Sequence, residues 1–520
     1  MALSPVTLDC PDCRHRTRAD YKNFRTVATL DGVVRLALTI RRCHDPDCPR
    51  FLRPHRPEAE SRLALPHHES GLDVIAAVGR LRHAEHRSVP EIHGELTRRG
   101  VALAPRSVAN LLDRYDELRA LATADPARLG PLLRRQGRVV LAIDGLQPDV
   151  GHEVLWVFRD CLSGEILLAR SLLSSTRDDL ARLITEVKEA LSVPITGAVS
   201  DGQDSIRKAV KEALHGVPHQ LCHFHYLREA AKPIYEADRH AKKELKKRVR
   251  GVRPIERKVE GRDDPEAKVV QGYCAAVRSA LTDDGRPPLS APGLVLRGRL
   301  EAVVESLDRV GGKKGLPPEL TRLRSLLSGG LSATAALWAP VEAAYDWVFR
   351  AAAILANVAG LTGAGVKASY RGLLGAMARH AAGAGNLARA LGHFRKVTRS
   401  YWPGLFHCYD VADLPRTNND LEQLFGAHRY HERRSSGRKV ASPGLVVRGS
   451  VRLPAALATR LRGEVRGEDL MPPDLEAWRE LRAGLERRQA VRAQGRRFRR
   501  DPAAYLQELE DALIKGTLPP

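Results

Sequence analysis

The chain has 520 residues, 43% of them hydrophobic. That is enough to build several buried cores, so global disorder is excluded and roughly three or four folding units are expected. Lys and Arg number 84 against 62 Asp and Glu, a net charge of +22, which suits a polyanion, nucleic acid first; Arg-rich codon usage is the plainer alternative.

The N-terminus lacks the basic-then-apolar pattern of an export signal. The most apolar stretch, 351–366, is cut by Asn357, Gly360 and Gly363. It is too short and too punctuated for a membrane span and reads as a buried helix. No membrane association is therefore expected, and a cytoplasmic, nucleoid-associated protein is. Eight cysteines are too few for a disulfide scaffold, and four of them crowd the first fifty residues, a pattern of a reducing compartment with a metal site.

Those four form two pairs, Cys10-Pro-Asp-Cys13 and Cys43-His-Asp-Pro-Asp-Cys48. Two short-spaced thiolate pairs can close a tetrahedron around Zn²⁺. Between them, residues 26–41 hold two β-rich runs broken at Asp31-Gly32, a hairpin signal. Knuckle, hairpin, knuckle predicts a structural zinc ribbon over residues 1–60. The looser spacing of the second pair leaves His44 as an alternative ligand.

Residues 68–125 read as a helix-turn-helix. Apolar residues recur at helical spacing over 71–81, and Ser88-Val-Pro-Glu91 is a capped helix start. A turn at Gly100 precedes a second helix over 105–121. Arg106, Asn110 and Arg114 fall toward one of its faces, as major-groove entry requires. An ordinary helical linker is the alternative.

From 136 to 228 the elements read β-β-β-α-β-α-β: strands at 138–143, 153–161, 165–173, 194–200 and 219–224, helices at 178–191 and 205–214. Three adjacent antiparallel strands followed by alternating elements make an RNase H-like α/β arrangement. Asp144-Gly145 and Asp201-Gly202 each follow a strand. If those strands are neighbours the carboxylates converge, and converging carboxylates repel unless a hard cation such as Mg²⁺ lies between them. Two such ions about 4 Å apart support phosphoryl transfer. Glu422, at the start of a late helix, is the third acid, with Asp420 as the fallback.

The segment His219-Gln-Leu-Cys222-His-Phe-His225-Tyr resembles the Cys-x-x-His signature after the second Asp in Mutator-like DDE transposases of bacterial insertion-sequence type. Thr417-Asn418-Asn419 is similar to that family's approach to its Glu. The resemblance covers roughly residues 138–430. It implies an RNase H-like core interrupted by a large all-α insertion, with Asp144, Asp201 and Glu422 holding two Mg²⁺ (or Mn²⁺) ions. It makes Cys222 and His225 an auxiliary pair that orders the site or contacts DNA.

The implied insertion spans 229–410 and opens on a basic helix, 229–250, that suits phosphate contact or plain solvation. Residues 311–315 read as a loop without P-loop spacing. The core resumes over 411–440, where aromatic and basic residues interleave from His428 to Lys439 in a strand-contacting loop that includes Arg429, Arg433 and Arg434. Residues 441–520 read as a basic helical tail, for which DNA binding, dimerisation and solvation all fit. The expected protein is a DNA transposase that hydrolyses a phosphodiester at each terminal inverted repeat and transfers the freed end into target DNA. Pairing two ends calls for a homodimer or higher oligomer on double-stranded DNA. A non-catalytic DNA-binding regulator and a stand-alone RNase H-like nuclease are the alternatives.

Overall fold

The computed structural model describes all residues except 148–152, 284, 439–442, 463–464, 473 and 517–520. It is a mixed α/β structure, mainly helical, with two small sheets. The chain divides into two compact units: residues 1–196, 209–215 and 419–520 form the first, and 197–208 with 216–418 the second.

The first unit opens with strands β1 (Arg18–Thr29) and β2 (Gly32–Arg42), an antiparallel hairpin joined at Asp31-Gly32. Leu36, Leu38 and Ile40 alternate along the buried face of β2, the period of two that a half-covered strand demands. Helices α1 (Leu72–His83), α2 (Val89–Arg98) and α3 (Pro105–Ala124) follow. The start of α2 is a capping box: Ser88 Oγ accepts from Glu91 N–H, and Glu91 Oε2 accepts from Ser88 N–H at 2.7 Å.

Strands β3 (Val139–Leu146), β4 (Val154–Asp160) and β5 (Ile166–Leu172) pair antiparallel in sequence. Helix α4 (Arg177–Ala190) leads to β6 (Ile195–Ser200), helix α5 (Asp204–Ala213) and the short β7 (His219–Leu221), which pairs parallel with β6. In the first unit the strands lie in the order β5-β4-β3, and in the second β6 and β7 form the parallel pair. Helix α6 (His223–Ala230) begins immediately after β7.

From Lys232 to Tyr401 the second unit is helical. One of its cores gathers Tyr226, Tyr345, Tyr370, Phe394 and Phe406; another gathers leucines and valines of 241–338 around Trp338. The apolar stretch at 351–366 is two helices, because Asn357 takes a left-handed conformation that ends the first at Ala356. Residues 311–314 are the end of a helix rather than a loop, with Gly315 closing it.

The chain re-enters the first unit with α7 (Asn419–Ser436), α8 (Pro443–Arg462), α9 (Leu475–Arg500) and α10 (Pro502–Ile514). Residues 441–520 are therefore not a simple tail. Helix α8 packs against α3, and Trp478 and Leu485 of α9 are buried; only the far part of α9 and all of α10 are solvent-facing. The physical reason is charge pairing that sequence spacing does not show. Buried Asp116 and Glu117 of α3 meet Arg452 and Arg448 of α8, and Trp478 donates to Glu117 at 2.9 Å.

Candidate functional site

Cys10, Cys13, Cys43 and Cys48 come together with all four Sγ atoms within 4.8 Å of one another. Cys10 lies 3.7 Å from Cys48, and Cys13 lies 3.5 Å from Cys43. A tetrahedron with Zn–S bonds of about 2.3 Å has edges of about 3.8 Å, so the spacing suits one such ion. Each pair is held by backbone bonds. Arg14 N–H donates to Cys10 O with Arg14 at positive φ; Cys48 N–H donates to Asp45 O at 3.1 Å, and Leu52 N–H, with Leu52 at positive φ, closes the longer loop onto Cys43 O. The Arg50 amide points at Cys48 Sγ at 3.4 Å, and the Cys13 amide holds the Cys10 thiol down at about 7 against the pull of burial. Each amide favours its thiolate, while burial raises Cys13 to about 12 and the balance at Cys48 is also upward. His44 is exposed and outside the cluster.

The predicted acids fall in both units. In the first, Asp144 lies inside β3 opposite Val157, nearly buried, with its Oδ1 accepting from Gly145 N–H at 2.8 Å. The strand does not end there, as the Asp-Gly pair suggested; it continues to Leu146. Gly145 serves close approach instead, since a Cβ would meet Val154 at 2.9 Å and the Trp156 ring at 3.3 Å. Glu422 occupies the first turn of α7, partly buried, and α7 packs against β3. Asp420 is exposed.

In the second unit, Asp201 directly follows β6 and caps its own turn, accepting from Gln203 N–H at 2.9 Å. Here Gly202 does have positive φ, and the Tyr401 ring fills the place its Cβ would take while Tyr401 Oη donates to Asp201 O at 3.2 Å. Cys222 is tied to the same corner, its amide donating to Ser200 O at 2.8 Å. His225, partly buried, stands in the first turn of α6. The returning segment runs alongside: His223 N–H donates to Arg416 O at 3.0 Å, and Asn418 N–H to Cys222 Sγ at 3.4 Å. His223 itself is buried against Leu405 O at 2.7 Å, and burial depresses it to about 4, so it is neutral. The end of β6, the Cys-x-x-His pair and the residue four before Glu422 thus share one corner.

The predicted DNA-contacting residues divide. Arg106 and Asn110 are exposed on the first turns of α3. Arg114 is not: it is buried and bonds Glu117 at 2.5 Å, because α3 is covered on all sides from Leu111 onward. Arg429, Arg433 and Arg434 are exposed, but on α7, which runs unbroken to Ser436 where a loop was expected; residue 439 lies outside the described residues. His428 and His431 from the same run are buried. The buried positions Leu421, Leu424, Phe425, His428, His431, Glu432 and Ser435 recur with helical period, a signal that could have identified the helix.

No protein-family profile matches the chain, and no curated protein matches it in sequence. Among the described residues no helix is long and apolar enough to cross a membrane.

Proposed function

We propose that the chain is a DDE-type DNA transposase with an RNase H-like core, a large helical insertion and an N-terminal zinc ribbon. The observation that carries the reading is the return of the chain. After a long all-helical excursion it comes back to hydrogen-bond Cys222 through Asn418, four residues ahead of Glu422, at the corner that carries Asp201. Three antiparallel strands, β5-β4-β3, and a parallel pair, β6-β7, support the same fold. The packing of Glu422's helix on Asp144's strand supports the same grouping of acids.

Asp144, Asp201 and Glu422 would hold two Mg²⁺ (or Mn²⁺) ions, and three carboxylates are the hard oxygen donors such ions take. When bound, the ions activate the attacking oxygen and stabilise the leaving one. Hydrolysis of a phosphodiester at each element end leaves a 3′-hydroxyl, whose oxygen then attacks a target phosphodiester and displaces another 3′-oxygen. No covalent protein–DNA bond is required. The four cysteines would bind one structural Zn²⁺, with no position left open for catalysis. Arg106, Asn110, Arg429, Arg433 and Arg434, all exposed, supply donors to phosphate and bases. Two paired ends call for two copies of the chain.

The test is cleavage and strand transfer in Mg²⁺ on DNA carrying the ends of the element that encodes the chain. Glu422→Gln should lose both reactions while end binding persists. Cleavage at the wild-type rate by that variant overturns the enzyme reading. Cleavage without joining of pre-cut ends identifies a nuclease instead.

A further inference from the structure

A cavity of about 670 Å³ opens in the first unit between α1, the end of α2, α8 and the turn at Arg466-Gly467. Among the described residues its wall includes Arg80, Arg99, Arg460 and Arg466, with Asp73 as the one carboxylate. Asp73 forms no ion pair with any of the four among the described residues. Its two oxygens accept from the amides of Leu30 at 2.7 Å and Val74 at 2.8 Å.

The arginines are short of partners. Glu95 is shared by Arg87, Arg98 and Arg99 at 3.3, 2.5 and 2.9 Å. Glu85 is shared by Arg80 and Arg87. Four guanidiniums around the end of α1 and α2 thus divide two carboxylates. Arg466 stands 3.8 Å from Glu468 and is otherwise open to solvent. Arg460, partly buried, forms no ion pair among the described residues; its Nε donates only to Ala456 O at 3.3 Å, and burial lowers its pKa. A partly desolvated cation without a counter-ion is costly unless an anion reaches it.

The wall is also held in place. A Cβ on Gly467 would meet the Asp73 amide nitrogen at 2.8 Å, so the Arg466-Gly467 backbone lies directly on the start of α1. Forked guanidinium donors lining one recess match the tetrahedral oxygens of phosphate better than a single carboxylate.

We propose that this recess is a phosphate-binding site, separate from the predicted carboxylate centre, and that it seats a backbone phosphate of bound DNA. It deepens the DNA-partner reading and rests on it only for the source of the phosphate. Arg460 is the central ligand, and Arg80, Arg99 and Arg466 surround it.

The experiment uses the full chain in two arms. Titration calorimetry with inorganic phosphate should detect binding that weakens at least about tenfold in Arg460→Gln. Because Arg460 is partly buried, Arg466→Ala, at an exposed position, serves as the second variant and should weaken binding by a smaller factor. In the other arm, the affinity for a 30-base-pair duplex is followed against salt. Arg460→Gln should lower the slope of log K on log salt by about one, the signature of one lost phosphate contact, and do so equally on unrelated sequences. Loss of phosphate binding with an unchanged DNA slope upholds the site but assigns it to a free phosphate-bearing ligand. A wild-type chain that binds phosphate but no DNA does the same and defeats only the DNA reading. If neither variant changes phosphate affinity or the salt slope, the proposal is overturned.

Discussion

A core in each unit reaches stability by different means. The aromatic core of the second keeps its polar atoms neutral: Tyr226 Oη bonds Tyr370 Oη and Thr398 Oγ1, both at 2.7 Å, inside a cage of aromatic rings. Burial raises both tyrosines above their usual pKa, so neither hydroxyl ionises at physiological pH. The first unit buries full charges. Asp116, with no exposed surface, lies between His83 Nε2 at 2.8 Å and Arg452 Nε at 2.9 Å. Burial pushes that carboxyl up, but Arg452 and His83 outweigh it and hold it well below the usual carboxylate range. Neutral hydrogen bonds can lose a partner at modest cost, whereas a buried charge that loses its partner is stranded in low dielectric. The first unit should therefore be the more brittle to single substitutions.

The sharpest way to expose that difference is Arg452→Met. It leaves buried Asp116 with His83 alone and removes the cation 4.0 Å from buried Glu432. The expected loss is about 3–5 kcal/mol, read as a lower urea midpoint. Adding Asp116→Asn should restore part of it, because the stranded charge is then gone. A loss below about 1 kcal/mol in the single variant would mean that water reaches the network, and the contrast would fail.

Acid should break the contrast. Burial holds His428 in the first unit and His223 in the second at about 4, below the ordinary 6.5 of an unfolded chain. Between those values the unfolded chain binds a proton that the folded one refuses. Stability is therefore full above pH 6.5 and falls as pH drops toward 4. Each histidine accounts for on the order of 3 kcal/mol across that window. Asp116 contributes nothing there, since its stabilisation is lost only below the carboxylate range. His428→Leu should flatten the first unit's share of the slope; an unchanged slope would assign the acid sensitivity elsewhere.

What the sequence reveals depends on how far apart the interacting residues lie. The capping box of Ser88 and Glu91 and the hairpin at Asp31-Gly32 are each written within four residues, and both stand where they were read. The cysteine cluster is nearly as local, two short-spaced pairs bridged by one hairpin. Arg114 was misread because the helices that bury α3 include α8 and α9, more than 300 residues later, and nothing near Arg114 announces them. Gly145 was misread for a related reason: an Asp-Gly pair signals a turn, but here a cross-strand neighbour requires the missing side chain. In each unit a legible strand bearing a predicted acid meets a segment that returns from far along the chain, so the acids could be nominated from sequence while their surroundings could not.

The smallest effect tests the neutral core. Tyr226→Phe keeps the ring among Tyr370, Phe394 and Tyr401 and removes only the hydroxyl. Thr398 retains Phe394 O at 2.7 Å, so the unsatisfied group left behind is the Tyr370 hydroxyl. The expected cost is about 1–2 kcal/mol, and the double variant with Tyr370→Phe should cost little more, because it removes that orphan as well. A double variant that loses about twice as much as the single would show each hydroxyl stabilising the core independently. The second unit would then depend on its polar atoms as heavily as the first depends on its ion pairs.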